Sequence, residues 1–137
     1  WNVKLSKQKN VRFHYITDNE IIITGTDITA IMIGNDILPF LNETTILKKF
    51  PNVVVDMGAI QFVCKGANIM RPGIKEFSDF KKGDIVCVIE ESQQKFLAVG
   101  IAEMSSDELK EAKKGEVIKN MHYISDNFWE IGKELSL

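Results

Sequence analysis

Asp56-Met57-Gly58-Ala59-Ile60-Gln61-Phe62-Val63-Cys64-Lys65-Gly66-Ala67-Asn68-Ile69-Met70-Arg71-Pro72-Gly73-Ile74 is the stretch that decides the fold. Two Gly-Ala pairs and one Pro-Gly surround a short amphipathic segment. Glycine serves where the backbone takes positive φ or approaches another group closely. The spacing predicts a tight strand-helix-strand unit whose main chain is open to contact. Asp56 is placed to cap a helix over 57–65, its carboxylate accepting from orphan N–H groups of the first turn. Ile60, Val63 and Cys64 fall on one face of that helix. Gly66 suits the left-handed position past its end. Ile69-Met70 starts the next strand, and Pro72-Gly73 breaks or turns it.

Working upstream, Val53-Val54-Val55 reads as a strand and Pro51-Asn52 as a boundary. Val11, Phe13 and Tyr15 alternate, the period of a strand with one side on a core. Asp18-Asn19 signals a turn. Ile21-Ile22-Ile23 follows, then Thr24-Gly25-Thr26-Asp27, then alternating Ile28, Ala30 and Met32, closed by Gly34-Asn35. This predicts a three-stranded meander. Leu41, Leu47 and Phe50 predict a short helix ended by Pro51. Residues 1–51 thus form a small α/β unit, too small to stand alone and expected to pack on its neighbour.

Downstream, Lys82-Gly83-Asp84 is a turn before a strand over 85–89, and 96–101 is another. Gly100 marks a bulge or tight bend. Ser105-Ser106-Asp107-Glu108 predicts a capping box and a helix to about Lys114, with Gly115 as its cap. Residues 117–124 form a final strand, and 127–135 its end or a tail.

The 137 residues are 45% hydrophobic and 26% charged, which fits one ordinary domain or two small ones. No apolar run approaches the roughly 20 residues needed to span a bilayer. Trp1 to Leu5 shows no secretory core, so a cytoplasmic protein without a membrane segment is expected. In such a compartment Cys64 and Cys87 are free structural thiols. The net charge of −2 argues mildly against nucleic acid. The charge is uneven, however. Lys65, Arg71, Lys75, Lys81 and Lys82 face only Glu76 and Asp79 over 65–82, while most acids lie in 103–116 and 126–134.

Catalytic signals are weak. His14, Cys64, Cys87 and His122 lack metal-ligand spacing. Cys64, His122 and Asp126 can be written as a nucleophilic triad, but geometry rather than composition defines one. Gly66 to Gly73 is neither a Walker loop nor a dinucleotide fingerprint. No enzyme activity, cofactor or metal is expected. His122, Tyr123 and Trp129 form an aromatic cluster that either closes a core or offers a stacking platform.

Val55-Asp56-Met57-Gly58-Ala59, Gly66-Ala67-Asn68-Ile69-Met70-Arg71-Pro72-Gly73, Lys82-Gly83-Asp84, Ala98-Val99-Gly100, Met104-Ser105 and Lys114-Gly115 follow the order of a PUA domain. The ending Asn120-Met121-His122-Tyr123-Ile124-Ser125-Asp126-Asn127-Phe128-Trp129 resembles a translation-associated subfamily. That subfamily comprises archaeal PUA proteins and malignant T-cell-amplified sequence, and is related to part of ligatin. The resemblance implies an α+β, mainly β fold: a PUA pseudo-β-barrel over 52–137 preceded by a small α/β pre-PUA domain over 1–51. It implies RNA binding on the first helix, the loop after it and the next strand. Carried over, the site is Gly58, Ala59, Lys65, Gly66, Ala67, Met70, Arg71, Pro72 and Gly73. Arg71 and Lys65 are expected to share one open surface and to meet phosphate.

The implied function is non-enzymatic RNA binding, with ribosomal RNA or tRNA as partner. A translation initiation factor or the small ribosomal subunit is a further expected partner. The alternatives are an adaptor that docks a translation factor through its N-terminal domain, and an accessory subunit of an RNA-modifying enzyme.

Overall fold

Two sheets, packed face to face, organise the chain in the computed structural model, which describes Trp1 and residues 4–137. The first is a meander of β1 (Arg12–Thr17), β2 (Glu20–Thr24), β3 (Thr29–Ile33) and β4 (Asp36–Pro39), in that spatial order. Three strands are expected from the sequence; the fourth is a correction. Ile33 pairs with Asp36, so Gly34 (φ 59°) and Asn35 form a two-residue hairpin turn rather than the close of the sheet. Pro39 is tolerated because β4 is an edge strand. Ile22, Ile31 and Leu38 point from the meander into the core and are fully buried. A single helical turn, α1 (Thr44–Leu47), closes this unit.

The second sheet is built from β5 (Asn52–Val55), β6 (Ile69–Met70), β7 (Ile74–Phe77), β8 (Ile85–Glu90), β9 (Phe96–Ala102) and β10 (Glu116–Tyr123). Its order is β6-β10-β9-β8-β5-β7, with β5 and β8 parallel and every other pair antiparallel. The two edge strands, β6 and β7, are consecutive in the chain and joined by the 3₁₀ turn Arg71–Gly73. The sheet therefore curls back on itself into a nearly closed pseudo-barrel, and the fold is mainly β. Val53, Val55, Val86, Val88, Ala98, Val117 and Ile118 fill its interior.

The barrel is drawn tight where β9 crosses β10. A Cβ on Gly100 would lie 2.3 Å from the Lys119 carbonyl oxygen. Next to this crossing the register slips between Asn120 and His122, so the bend foreseen at Gly100 is realised as a bulge on the facing strand.

β8 and β9 bury both faces. Val86 and Val88 look into the barrel, while Cys87 and Val99 join a second core with Ile22, Ile31, Leu38, Phe40, Leu41 and Phe128. This explains the unbroken apolar run from Ile85 to Ile89. The second core also receives α4 (Asn127–Glu134), where the sequence suggests a strand end or tail. Asp126 caps this helix, accepting from the Trp129 N–H at 2.8 Å. Gly132, a poor helix former, hides the helix in the sequence. A Cβ there would stand 2.6 Å from Phe40 Cζ, so glycine is what lets α4 approach the first unit.

His122 joins these parts. It is fully buried and stacks on Phe40 with centroids 4.9 Å apart. Its Nε2 accepts from the Leu41 N–H at 3.2 Å, which places the ring proton on Nδ1, donated to Asp126 Oδ2 at 2.7 Å. The aromatic cluster thus closes a core. Nε2 is occupied by a backbone donor, so it has no lone pair left to activate Cys64, and the triad dissolves. Among the described residues, no group of three or more His, Cys, Asp or Glu could hold a metal ion, and no helix is long and apolar enough to cross a membrane.

Candidate nucleic-acid interface

The segment after β5 turns sharply because Asp56 accepts from the Ala59 N–H at 2.9 Å. One 3₁₀ turn, Met57–Ala59, leads into α2 (Ile60–Val63), shorter than the helix expected over 57–65. It ends by a Schellman pairing: the Gly66 N–H donates to the Val63 carbonyl and the Ala67 N–H to the Phe62 carbonyl, both at 3.0 Å. Gly66 holds φ +94°, and a Cβ there would press on the Tyr123 ring at 3.1 Å. Glycine is therefore required here for structure.

Side chains stand out from this short unit in an unusual way. Met57, Phe62 and Met70 are 49%, 58% and 48% exposed. Phe62 and Met70 flank an open apolar groove of about 300 Å³, lined also by Ala59, Ala67, Ile69 and Gly73, among others. Of the residues expected to bind RNA, Ala59, Ala67, Met70 and Gly73 line this groove. Gly58, Lys65 and Pro72 are exposed beside it, and Gly66 is half-buried.

Arg71 differs from expectation. Its Nε donates to the Ala112 carbonyl at 3.0 Å and Nη1 to the Ile74 carbonyl at 3.3 Å. The guanidinium lies 5.8 Å from the Phe77 ring centroid, and the Arg71 N–H donates to the Gly115 carbonyl at 2.8 Å. The expectation of an open cation sharing a surface with Lys65 is corrected: the side chain is half-buried and stitches the barrel seam to the loop before β10.

Two asparagines hold the far side of the groove. Asn68 Oδ1 accepts from the Asn120 N–H, and its Nδ2 donates to Glu116. Asn120 Nδ2 donates to the Val63 and Ala67 carbonyls, fixing the end of α2. Glu103 beside it, and then the Asn68 amide, hold the Glu116 carboxyl below its usual range. Glu103 is pushed up in turn, by Glu116 first and by partial burial. Phe62, Met57, Asn68 and Asn120 escape the sequence reading. An amide inside the apolar strand 117–124 is the one signal that marks Asn120.

The loop before β10 is also new. The capping box of α3 (Ser106–Glu111) forms as expected, but the helix ends at Glu111 and not near Lys114. Ala112 is extended (ψ 139°) and Gly115 holds φ +108°. Lys113 and Lys114 therefore lie in an exposed loop.

A family model for the PUA domain matches residues 51–124, which contain the barrel and the groove. The chain belongs to the PUA domain family. A Methanocaldococcus jannaschii protein is 40% identical over 129 residues, covering 91% of this chain and 78% of its own length. Schizosaccharomyces pombe translation machinery-associated protein 20 is 42% identical over 86 residues. Human malignant T-cell-amplified sequence 2 is 37% identical over 101 residues. These two matches cover 59% and 68% of this PUA chain, and only 48% and 56% of the relatives' own lengths.

Among solved structures, a hypothetical protein of Pyrococcus horikoshii OT3 superposes with TM-score 0.78 at 34% identity, over 88% of this chain and 78% of that one. A chain of an H/ACA RNP bound to a substrate RNA containing 2′-deoxyuridine superposes with TM-score 0.57 at 26% identity. That match covers 69% of this chain and 29% of the other.

Proposed function

We propose that this PUA protein is a non-enzymatic, cytoplasmic RNA-binding module of translation that holds unpaired nucleotides of ribosomal RNA or tRNA on the α2 face. The observation that carries this is the open apolar groove flanked by exposed Phe62 and Met70. Large apolar side chains left in water mark a binding surface. Sequence-tolerant capture of single strands uses stacking on such side chains beside a cationic track. Paired RNA hides its base faces, so unpaired residues are the chemistry that fits. The RNA-bound H/ACA particle and the translation-associated relatives support the same assignment. We assign Gly58, Ala59, Lys65, Gly66, Ala67, Met70, Pro72 and Gly73 to the surface, with Phe62 added. Residues 1–51 are the pre-PUA unit and 52–137 the PUA unit.

The test is RNA affinity across a salt series, with single-stranded and duplex oligonucleotides. Preference for the single strand and a steep salt dependence are expected. Phe62→Ala should weaken single-strand binding by roughly 5- to 150-fold, since a base stack contributes about 1–3 kcal/mol. Phe62 is exposed, so the melting temperature should barely move. No binding, or equal affinity of the variant, would overturn the proposal.

A second reading rests on the outer face of the meander. Phe13 and Tyr15 project from β1 at 53% and 75% exposure, with Ile37 of β4 at 47%. Such a face suits a protein partner, an initiation factor or a small-subunit protein, in an adaptor role. Tyr15→Ala would then abolish partner binding with little salt dependence.

A further inference from the structure

We propose that the loop 112–115 is the phosphate-binding element of this surface, with Lys113 and Lys114 as the contacts and Arg71 as the residue that positions them. The proposal rests on the RNA-binding reading above and changes which cations serve it. Arg71 is half-buried, its side chain held by the Ala112 and Ile74 carbonyls and the Phe77 ring. Of the residues carried over from the family pattern, only Lys65 then remains as an open cation. One cation is a poor match for a polyanion on a protein of net charge −2.

Lys113 and Lys114 are exposed, and the lysine ion pairs among the described residues are Lys110–Asp107 and Lys133–Glu130. Neither loop lysine is tied to a carboxylate. The loop is held at both ends by one residue: Arg71 Nε on the Ala112 carbonyl and the Arg71 N–H on the Gly115 carbonyl. A loop fixed before binding loses less entropy when RNA arrives.

The loop also lies next to the groove. Met70, which lines the groove, pairs across the strands with Glu116. Lys114 is two residues earlier, about 7 Å of extended chain. A nucleotide whose base sits against Met70 and Phe62 thus has its backbone within reach of the lysines. Glu111 and Glu116 bracket the loop. Glu116 already accepts from Asn68, so its charge is partly engaged on the protein side.

The experiment compares the wild-type chain, Lys113→Gln/Lys114→Gln and Arg71→Gln, titrated with a short single-stranded RNA over a range of salt, with melting curves alongside. Each single-strand phosphate contact contributes about 0.7 to the log–log salt slope, so the double lysine variant should lose about 1.4. Its melting temperature should be unchanged. Arg71→Gln should weaken binding while keeping the wild-type slope, because it loosens the loop without removing a phosphate contact. An unchanged slope in the lysine variant, with wild type binding normally, overturns the proposal and leaves the RNA-binding reading intact. A slope lowered by roughly 0.7 in Arg71→Gln alone would make Arg71 itself the phosphate ligand. Failure of wild type to bind any RNA would instead defeat the RNA-binding reading.

Discussion

Replacing His122 with alanine should unfasten the first unit from the barrel. The imidazole is fully buried between Phe40, at 4.9 Å, and Phe128, at 5.8 Å edge-on. Its loss orphans the Leu41 N–H, itself in a buried residue, at about 1–3 kcal/mol. Asp126 loses its imidazole donor but keeps the Tyr123 and Trp129 N–H groups, so that carboxylate is not abandoned. A cavity replaces the ring, and truncating a buried aromatic side chain costs about 3–5 kcal/mol in a rigid core. These terms overlap, and we expect a net loss of about 4 kcal/mol, a large share of the 5–15 kcal/mol typical of a domain. For a chain of this length that lowers the melting temperature by roughly 12–16 °C. Urea denaturation followed by circular dichroism measures it. His122→Phe, which keeps an aromatic ring while dropping the polar contacts and adding some volume, should lie between wild type and the alanine variant. A loss under about 1 kcal/mol for His122→Ala would refute the joint as described.

Three further outcomes are expected. Gly100→Ala forces a methyl onto the Lys119 carbonyl, an atom of the backbone that cannot swing away, and should cost about 3 kcal/mol or more in urea denaturation. Glu90 is held low, at about 2, by the Ser92 hydroxyl first and then by the Lys95, Gln93 and Ser92 N–H groups, against its burial. Its folded value lies below the ordinary 4.5, so its stabilisation is present above pH 4.5 and lost as pH falls toward about 2. Urea midpoints across that window should decline in wild type and flatten in Glu90→Gln. Burial pushes the Cys87 thiol up to about 12, while half-buried Cys64 is raised less decisively by the same cause. A thiol reagent at neutral pH should therefore label Cys64 first and reach Cys87 only on unfolding.

Local signals were legible wherever the interacting groups are a few residues apart. Asp56 caps its turn through a residue three positions on, and the Ser105 box closes on Glu108 over the same distance. Gly66 ends α2 because left-handed φ is a property of one residue. Alternation along 11–33 located β1 to β3, since a strand's side chains repeat every second residue, but in β1 it marked the outer face: Val11, Phe13 and Tyr15 are exposed, and Ile16 packs on the core. These features, with the order of the glycine turns, carried the resemblance to a PUA domain that the family match over residues 51–124 bears out.

What the sequence could not show are contacts made across the chain. Arg71 meets Ala112 from 41 residues away, a hydrogen bond that ties its side chain to the loop before β10. Lys113 and Lys114 read as a helix terminus until Ala112 proves extended and the loop lands beside Met70. His122 finds Leu41 at a separation of 81, which decides between the two readings of the aromatic cluster in favour of a closed core. Gly132 argues against a helix on propensity alone, yet close packing on Phe40 repays it. The sequence by itself determined the caps, turns and strand periods, because those energies act within one or two turns of chain. Only the tertiary structure decided which charges stay open to solvent and which are consumed inside, because that depends on neighbours brought together by folding.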